Sequence, residues 1–181
     1  MSPVVLHPQA QANRHIVITN EMPKQKPVTL AEEIKQTRPF SSVEEETYLS
    51  LVRTSAELTH STDQFLKLFG ITQSQYNVLR ILRGAGAEGL GRNQIAERMV
   101  TPTPDASRLL DRLEESGWVR RKREKEDRRQ VTSCITTAGL RLLNKLDAPI
   151  AAFHKGQFPG VSKADLHQLT RILSKLRNSR P

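Results

Sequence analysis

Leu90 to Thr136 reads LGRNQIAERMVTPTPDASRLLDRLEESGWVRRKREKEDRRQVTSCIT, and this stretch decides the fold. Arg92 to Met99 form a short amphipathic helix with Ile95, Ala96 and Met99 on one face. Thr101-Pro102-Thr103-Pro104-Asp105 follows, where a Thr cap before a Pro, with Asp105 in the electropositive first turn, marks a helix start. The helix it opens carries Leu109, Leu110 and Leu113 inward and stops at Gly117. Val119, then Val131 and Ile135, flank a charged segment, which reads as two strands joined by a solvated loop. Short helix, tight turn, second helix and ribbon together make a winged helix-turn-helix.

Outward from this unit the pattern is helical. On the N-terminal side, Ser42 with Glu45 forms a capping-box signature, and apolar residues recur at helical spacing from Leu51 to Phe69 around a polar stretch, Thr59 to Gln64. Gly70 ends this helix, and Thr72 caps a second one carrying Tyr76, Leu79, Ile81 and Leu82. On the C-terminal side, Thr136 or Thr137 caps a long helix that Pro149 is expected to kink. A last helix opens at Ser162 and bears the stripe Leu166, Leu169, Ile172, Leu173 and Leu176. Residues 1–40 hold five of the ten prolines and read as a flexible tail with a brief helical turn near Leu30 to Gln36. The expected organisation is a tail (1–40), helices leading into the module (41–89), the winged module (90–136) and C-terminal helices (137–181). The fold class is mainly α with a small two- or three-stranded β-wing.

Composition narrows the partner. The 181 residues carry a formal net charge of +9, and a basic chain attracts polyanions, nucleic acid first and a membrane surface second. Only 36% of residues are hydrophobic, a lean share that favours completing the core with a second copy of the chain. The single Cys134 forms no internal disulfide, and neither a signal peptide nor an apolar run of membrane-spanning length is read, so the expected setting is cytoplasmic. No Gly-rich phosphate loop, nucleophile elbow or metal-ligand spacing occurs, so neither an enzyme nor a cofactor or metal site is expected.

The solvent side of the second module helix carries Thr101, Thr103, Ser107, Arg108 and Arg112. Arginine can bond both acceptors of a guanine edge, and hydroxyls suit phosphates or bases. Asp105 and Asp111 would repel phosphate, so they are expected to cap the helix or pair with Arg108 or Arg112. Residues 120–129 hold seven basic and three acidic side chains. Charge alone does not locate the interface, because residues 137–181 are the most basic region, with eight basic and two acidic residues.

The run Thr103 to Glu114, then Gly117-Trp118-Val119-Arg120-Arg121, then Glu126-Asp127-Arg128-Arg129, then Ile135 to Gly139 resembles the MarR family of bacterial transcriptional regulators, with similarity from about Tyr48 to Arg177. The resemblance implies a homodimer whose terminal helices interlock, two winged modules reading a palindromic DNA operator, and a repressor function. It implies that Arg108 is the reading-helix arginine and that Asp127 supports Arg129 at the minor groove. Arg121 and Arg128 are then candidates for the DNA backbone. It also implies a small aromatic or acidic effector held between the lobes, for which His60, Tyr76 and Arg80 are candidates. Peroxide-sensing relatives carry a cysteine near the start of the first helix, where this chain has none; Cys134 is expected to be a small buried residue. The competing reading is a winged helix used for protein contact.

Overall fold

The computed structural model describes residues 28–102, 105–123 and 131–179. The chain divides into two compact units, residues 1–50 and residues 51–181. In the first, α1 (Leu30–Glu33) is capped by Thr29, and the Glu32 carboxylate accepts from the Thr29 N–H at 2.8 Å. The helix α2 (Val43–Lys67) begins here and continues in the second unit. Ser42 Oγ accepts from the Glu45 N–H at 3.2 Å, as its spacing predicts. The reciprocal half of the box shifts by one residue: the Glu45 carboxylate accepts from the N–H of Ser41 at 2.6 Å and from its hydroxyl at 2.7 Å.

In the second unit α2 runs unbroken through Thr59 to Gln64. Thr62 tolerates burial there because its hydroxyl donates to the Leu58 carbonyl at 2.7 Å and accepts from Gln157 Nε2 at 3.3 Å. Then follow α3 (Gln73–Ala85), β1 (Leu90–Gly91), α4 (Arg92–Arg98), α5 (Ala106–Glu115), β2 (Val119–Arg123), β3 (Val131–Ile135), α6 (Thr137–Gly156) and α7 (Lys163–Asn178). Thr72 caps α3, as expected, and Gln75 completes a capping box with it. The helix α6 continues through Pro149.

The strands form one antiparallel sheet in the order β1-β3-β2, with Leu90 opposite Ser133 and Val119 opposite Ile135. The third strand depends on Gly89. Its φ is +70°, and a Cβ there would lie 2.5 Å from both Cys134 Sγ and the Ser133 carbonyl oxygen. Only glycine lets the chain enter β1 so close to β3.

The core is aliphatic, as the scarcity of aromatic residues requires. Leu66 of α2, Leu79 and Leu82 of α3, Ile95 of α4, Leu113 of α5 and Leu143 and Leu146 of α6 are all fully buried or nearly so. Phe65 stacks on Phe153 with ring centroids 4.4 Å apart, adding an α2–α6 contact. Ala96, expected beside Ile95, is instead exposed, and Leu109 is half-buried. In α7 no residue is buried, and Leu169, Ile172 and Leu176 are 42%, 54% and 41% exposed.

Candidate nucleic-acid interface

The turn and the second module helix are fixed from both sides. Gln94 Oε1 accepts from the Gly91 N–H at 2.9 Å and closes the start of α4. Past α4, the Val100 N–H donates to Asn77 Oδ1 at 2.9 Å, which ties the turn to α3. The helix α5 is capped by Asp105 itself, whose Oδ1 accepts from the Arg108 N–H at 3.0 Å. This corrects the expected start at a Thr–Pro pair. The Asp105 carboxylate takes the otherwise unpartnered Arg108 N–H of the first turn, so the helix opens at Ala106.

Leu110 and Leu113 turn α5 toward the core, which leaves Ser107, Arg108, Asp111 and Arg112 exposed. Arg108 is 80% exposed, and its Nε lies 2.9 Å from Asp105 Oδ2. Thus Asp105 both caps α5 and pairs with Arg108, two roles anticipated for it. Thr101 is also exposed. Thr103 lies outside the described residues.

Asp111 was expected to hold Arg108 or Arg112. It pairs instead with the guanidinium of Arg121 on β2. Glu114 joins them, its Oε1 accepting from the Arg121 N–H at 3.0 Å and its Oε2 lying 3.4 Å from Arg121 Nε. Asp111 and Glu114, three residues apart, share one flank of α5, the flank against which β2 packs. Arg121 therefore fastens the ribbon to α5, and its side chain is only 28% exposed. The far end of the ribbon joins α6 through Thr136, whose hydroxyl donates to the Gly117 carbonyl at 2.7 Å and accepts from the Gly139 N–H at 3.1 Å. Asp127, Arg128 and Arg129 lie outside the described residues. Cys134 is buried, with Sγ 3.7 Å from the Ala87 carbonyl oxygen.

Two concavities flank α5. A cleft of about 550 Å³ opens between α4, α5 and β3. On the other flank a cavity of about 800 Å³ is bounded by α2, α3, α5 and α6. Tyr76 and Arg80 line this cavity, and the Arg80 guanidinium carbon sits 5.8 Å from the Tyr76 ring centroid, a cation–π distance. His60 does not line it; the neighbouring Thr59 does. Sequence reading passed over Lys67, His154 and the cavity-facing flank of Arg108 and Arg112, whose meeting depends on how four helices pack rather than on any local spacing. Beside the cavity wall, Arg83 clasps Asp147 through two hydrogen bonds of 2.8 and 3.0 Å. These bonds, then the charge of Arg83, hold the Asp147 carboxyl below the usual range. Among the described residues no three His, Cys, Asp or Glu side chains gather as metal ligands, and no helix is long and apolar enough to cross a membrane.

Comparison with known proteins gives a consistent picture. The MarR family model matches residues 71–131. The chain is 38% identical to a MarR transcription factor from Planctomyces limnophilus, over 75% of this chain and 98% of that one, with a TM-score of 0.60. It is 27% identical to S. aureus MepR in its DNA complex, over 74% and 97%, with a TM-score of 0.66. CouR from Rhodococcus jostii RHA1, bound to p-coumaroyl-CoA, is 25% identical over 78% and 99%, with a TM-score of 0.63. Among curated relatives, the HTH-type transcriptional regulator PapX of Escherichia coli is 28% identical over 95 residues, which span 52% of this chain and 58% of PapX.

Proposed function

The chain belongs to the MarR family of transcriptional regulators, and from that premise we propose that it is a repressor that reads a palindromic operator as a homodimer. The observation that carries this reading is the solvent face of α5. Ser107, Arg108 and Arg112 stand exposed on it, on a helix held by its Asp105 cap and braced to the ribbon through Arg121. A guanidinium so exposed can enter the major groove and take both guanine acceptors, while hydroxyls and the remaining arginine hold phosphates. In this reading Arg129, Arg128, Thr101 and Thr103 extend the contact, with Asp127 orienting the wing and Arg121 serving as brace rather than backbone ligand.

The dimer rests on α7. An uncovered stripe of Leu169, Ile172 and Leu176 on a terminal helix suits burial against a second copy, and a two-fold pair of reading helices matches a palindrome. The cavity suits a small organic anion with an apolar body. Lys67, Arg80, Arg112 and His154 supply cationic or donor groups, and Leu109 and Ile150 supply apolar wall. Because α5 forms part of that wall, an occupant that prefers one placement of α5 shifts operator affinity.

The test is fluorescence anisotropy on DNA from upstream of the protein's own gene against scrambled DNA, across a salt series. Tight binding that prefers the native fragment and falls steeply with salt is the expected result. Weak binding to both fragments, insensitive to Arg108→Ala, would instead favour a winged helix used for protein contact.

A further inference from the structure

We propose that the cleft between α4, α5 and β3 seats a DNA backbone phosphate, with Arg92 as its cation. The inference rests on the DNA-reading function above and extends it to a residue that sequence reading left at a helix start. Arg92, Asn93 and Gln94 from the first turn of α4 form one wall, Ser107 of α5 a second, and Thr132 of β3 a third. No carboxylate lines the cleft among the described residues.

Two arginines reach it, and they differ. Arg121 is held by Asp111 and Glu114, so its charge is already neutralised. Arg92 is exposed and, among the described residues, touches only neutral oxygens: Nη1 lies 3.4 Å from Ser107 Oγ, while Nε and Nη2 lie 3.4 and 3.3 Å from Asn93 Oδ1. These are long contacts for a guanidinium, which bonds a charged oxygen at about 2.7–2.9 Å. They leave Arg92 oriented across the cleft toward Ser107 without an anion among the described residues. A phosphate oxygen would complete the set, accepting from Arg92 and from the Ser107 hydroxyl.

Position selects DNA as the source of that phosphate. Ser107 precedes Arg108 in the chain, so an anion in the cleft lies beside the base-reading position. In a helix-turn-helix the first helix crosses the sugar-phosphate backbone while the second enters the groove. Such a contact positions the module and carries no base preference.

The experiment compares full-length wild type, Arg92→Gln and Arg92→Lys by anisotropy on the preferred fragment and on scrambled DNA, from low to moderate salt. Arg92→Gln should weaken both complexes by a similar factor, about tenfold at low salt, and flatten the log–log salt dependence by about 0.9 for each Arg92 engaged. The preference between fragments should stay, and Arg92→Lys should restore most of the slope because it keeps the charge. An unchanged slope in Arg92→Gln, with wild-type melting and steep salt dependence in the wild type, overturns the cleft assignment alone. A loss confined to the preferred fragment overturns it too, making Arg92 a base reader. Absence of salt-dependent binding in the wild type would strike the DNA-reading function first and the cleft with it.

Discussion

Replacing Asp105 separates its two roles. Its Oδ1 caps α5 through the Arg108 N–H at 3.0 Å, and its Oδ2 pairs with Arg108 Nε at 2.9 Å. The cap is worth about 1 kcal/mol, within a range of about 0.5–2. The ion pair is worth less: Arg108 is 80% and Asp105 47% exposed, so solvent screening reduces it to a few tenths of a kcal/mol, roughly. Asp105→Ala loses both and should cost about 1–1.5 kcal/mol. Asp105→Asn keeps a capping oxygen and should cost under about 0.5 kcal/mol. Urea unfolding at one fixed protein concentration measures the difference, since the midpoint of the proposed dimer would move with concentration. Asp105→Asn should also bind scrambled DNA more tightly than wild type, because it removes a carboxylate next to the proposed phosphate contacts and frees Arg108. Equal destabilisation by Asn and Ala would show that the ion pair, not the cap, holds the helix start. No destabilisation by Ala would place the cap at one of the preceding threonines.

Two further outcomes follow from the geometry. Gly139→Ala should destabilise by about 1–3 kcal/mol, because the new Cβ would meet the Trp118 carbonyl oxygen at 2.5 Å and Ile135 Cγ1 at 2.8 Å. Gly84→Ala, in a helix with nothing within 4 Å, should stabilise by up to about 1 kcal/mol, so thermal melting of the pair should move in opposite directions. The Arg83–Asp147 clasp should give a pH signature. Folding lowers the Asp147 carboxyl's affinity for protons, so its contribution is complete above the ordinary carboxylate range and fades as pH falls through the lower folded value. Partial exposure limits the contribution to about 1 kcal/mol or less. The stability gap between wild type and Asp147→Asn should be flat near neutrality and close in acid; a gap that widens in acid would refute the assignment.

What the sequence made legible was whatever depends on near neighbours. Caps at Ser42, Thr72, Thr136 and Ser162 are three-residue relations, and each forms where its spacing indicates. The buried faces of α3 and α5 follow from helical periodicity in the same way. Illegible features depend on distant chain. The strand β1 is two residues long and carries no alternation; it exists because Gly89 admits close approach to β3, more than forty residues later. Asp111 finds Arg121 across the helix–strand junction, a partner that helical spacing alone does not suggest. Tyr76 and Arg80, one turn apart, could be paired by eye, whereas His154 reaches the same cavity only because α6 packs beside α3.

In the proposed reading, the partition of α5 lets one short helix serve DNA contact, bracing and ligand response together. Leu110 and Leu113 lock it to the core. Asp111 and Glu114 hold β2 through Arg121, so α5 and β2 are coupled. Leu109 and Arg112 face the cavity, so an occupant there pushes on the same rigid element. Ser107 faces the opposite cleft, where Arg92 reaches it from α4. On that proposal, a ligand in the cavity would need no separate relay to alter DNA contact. In the proposed reading, displacing α5 would move Arg108, the braced strand β2 and the proposed phosphate seat together, and the cost of mismatch against a fixed duplex would rise at each contact.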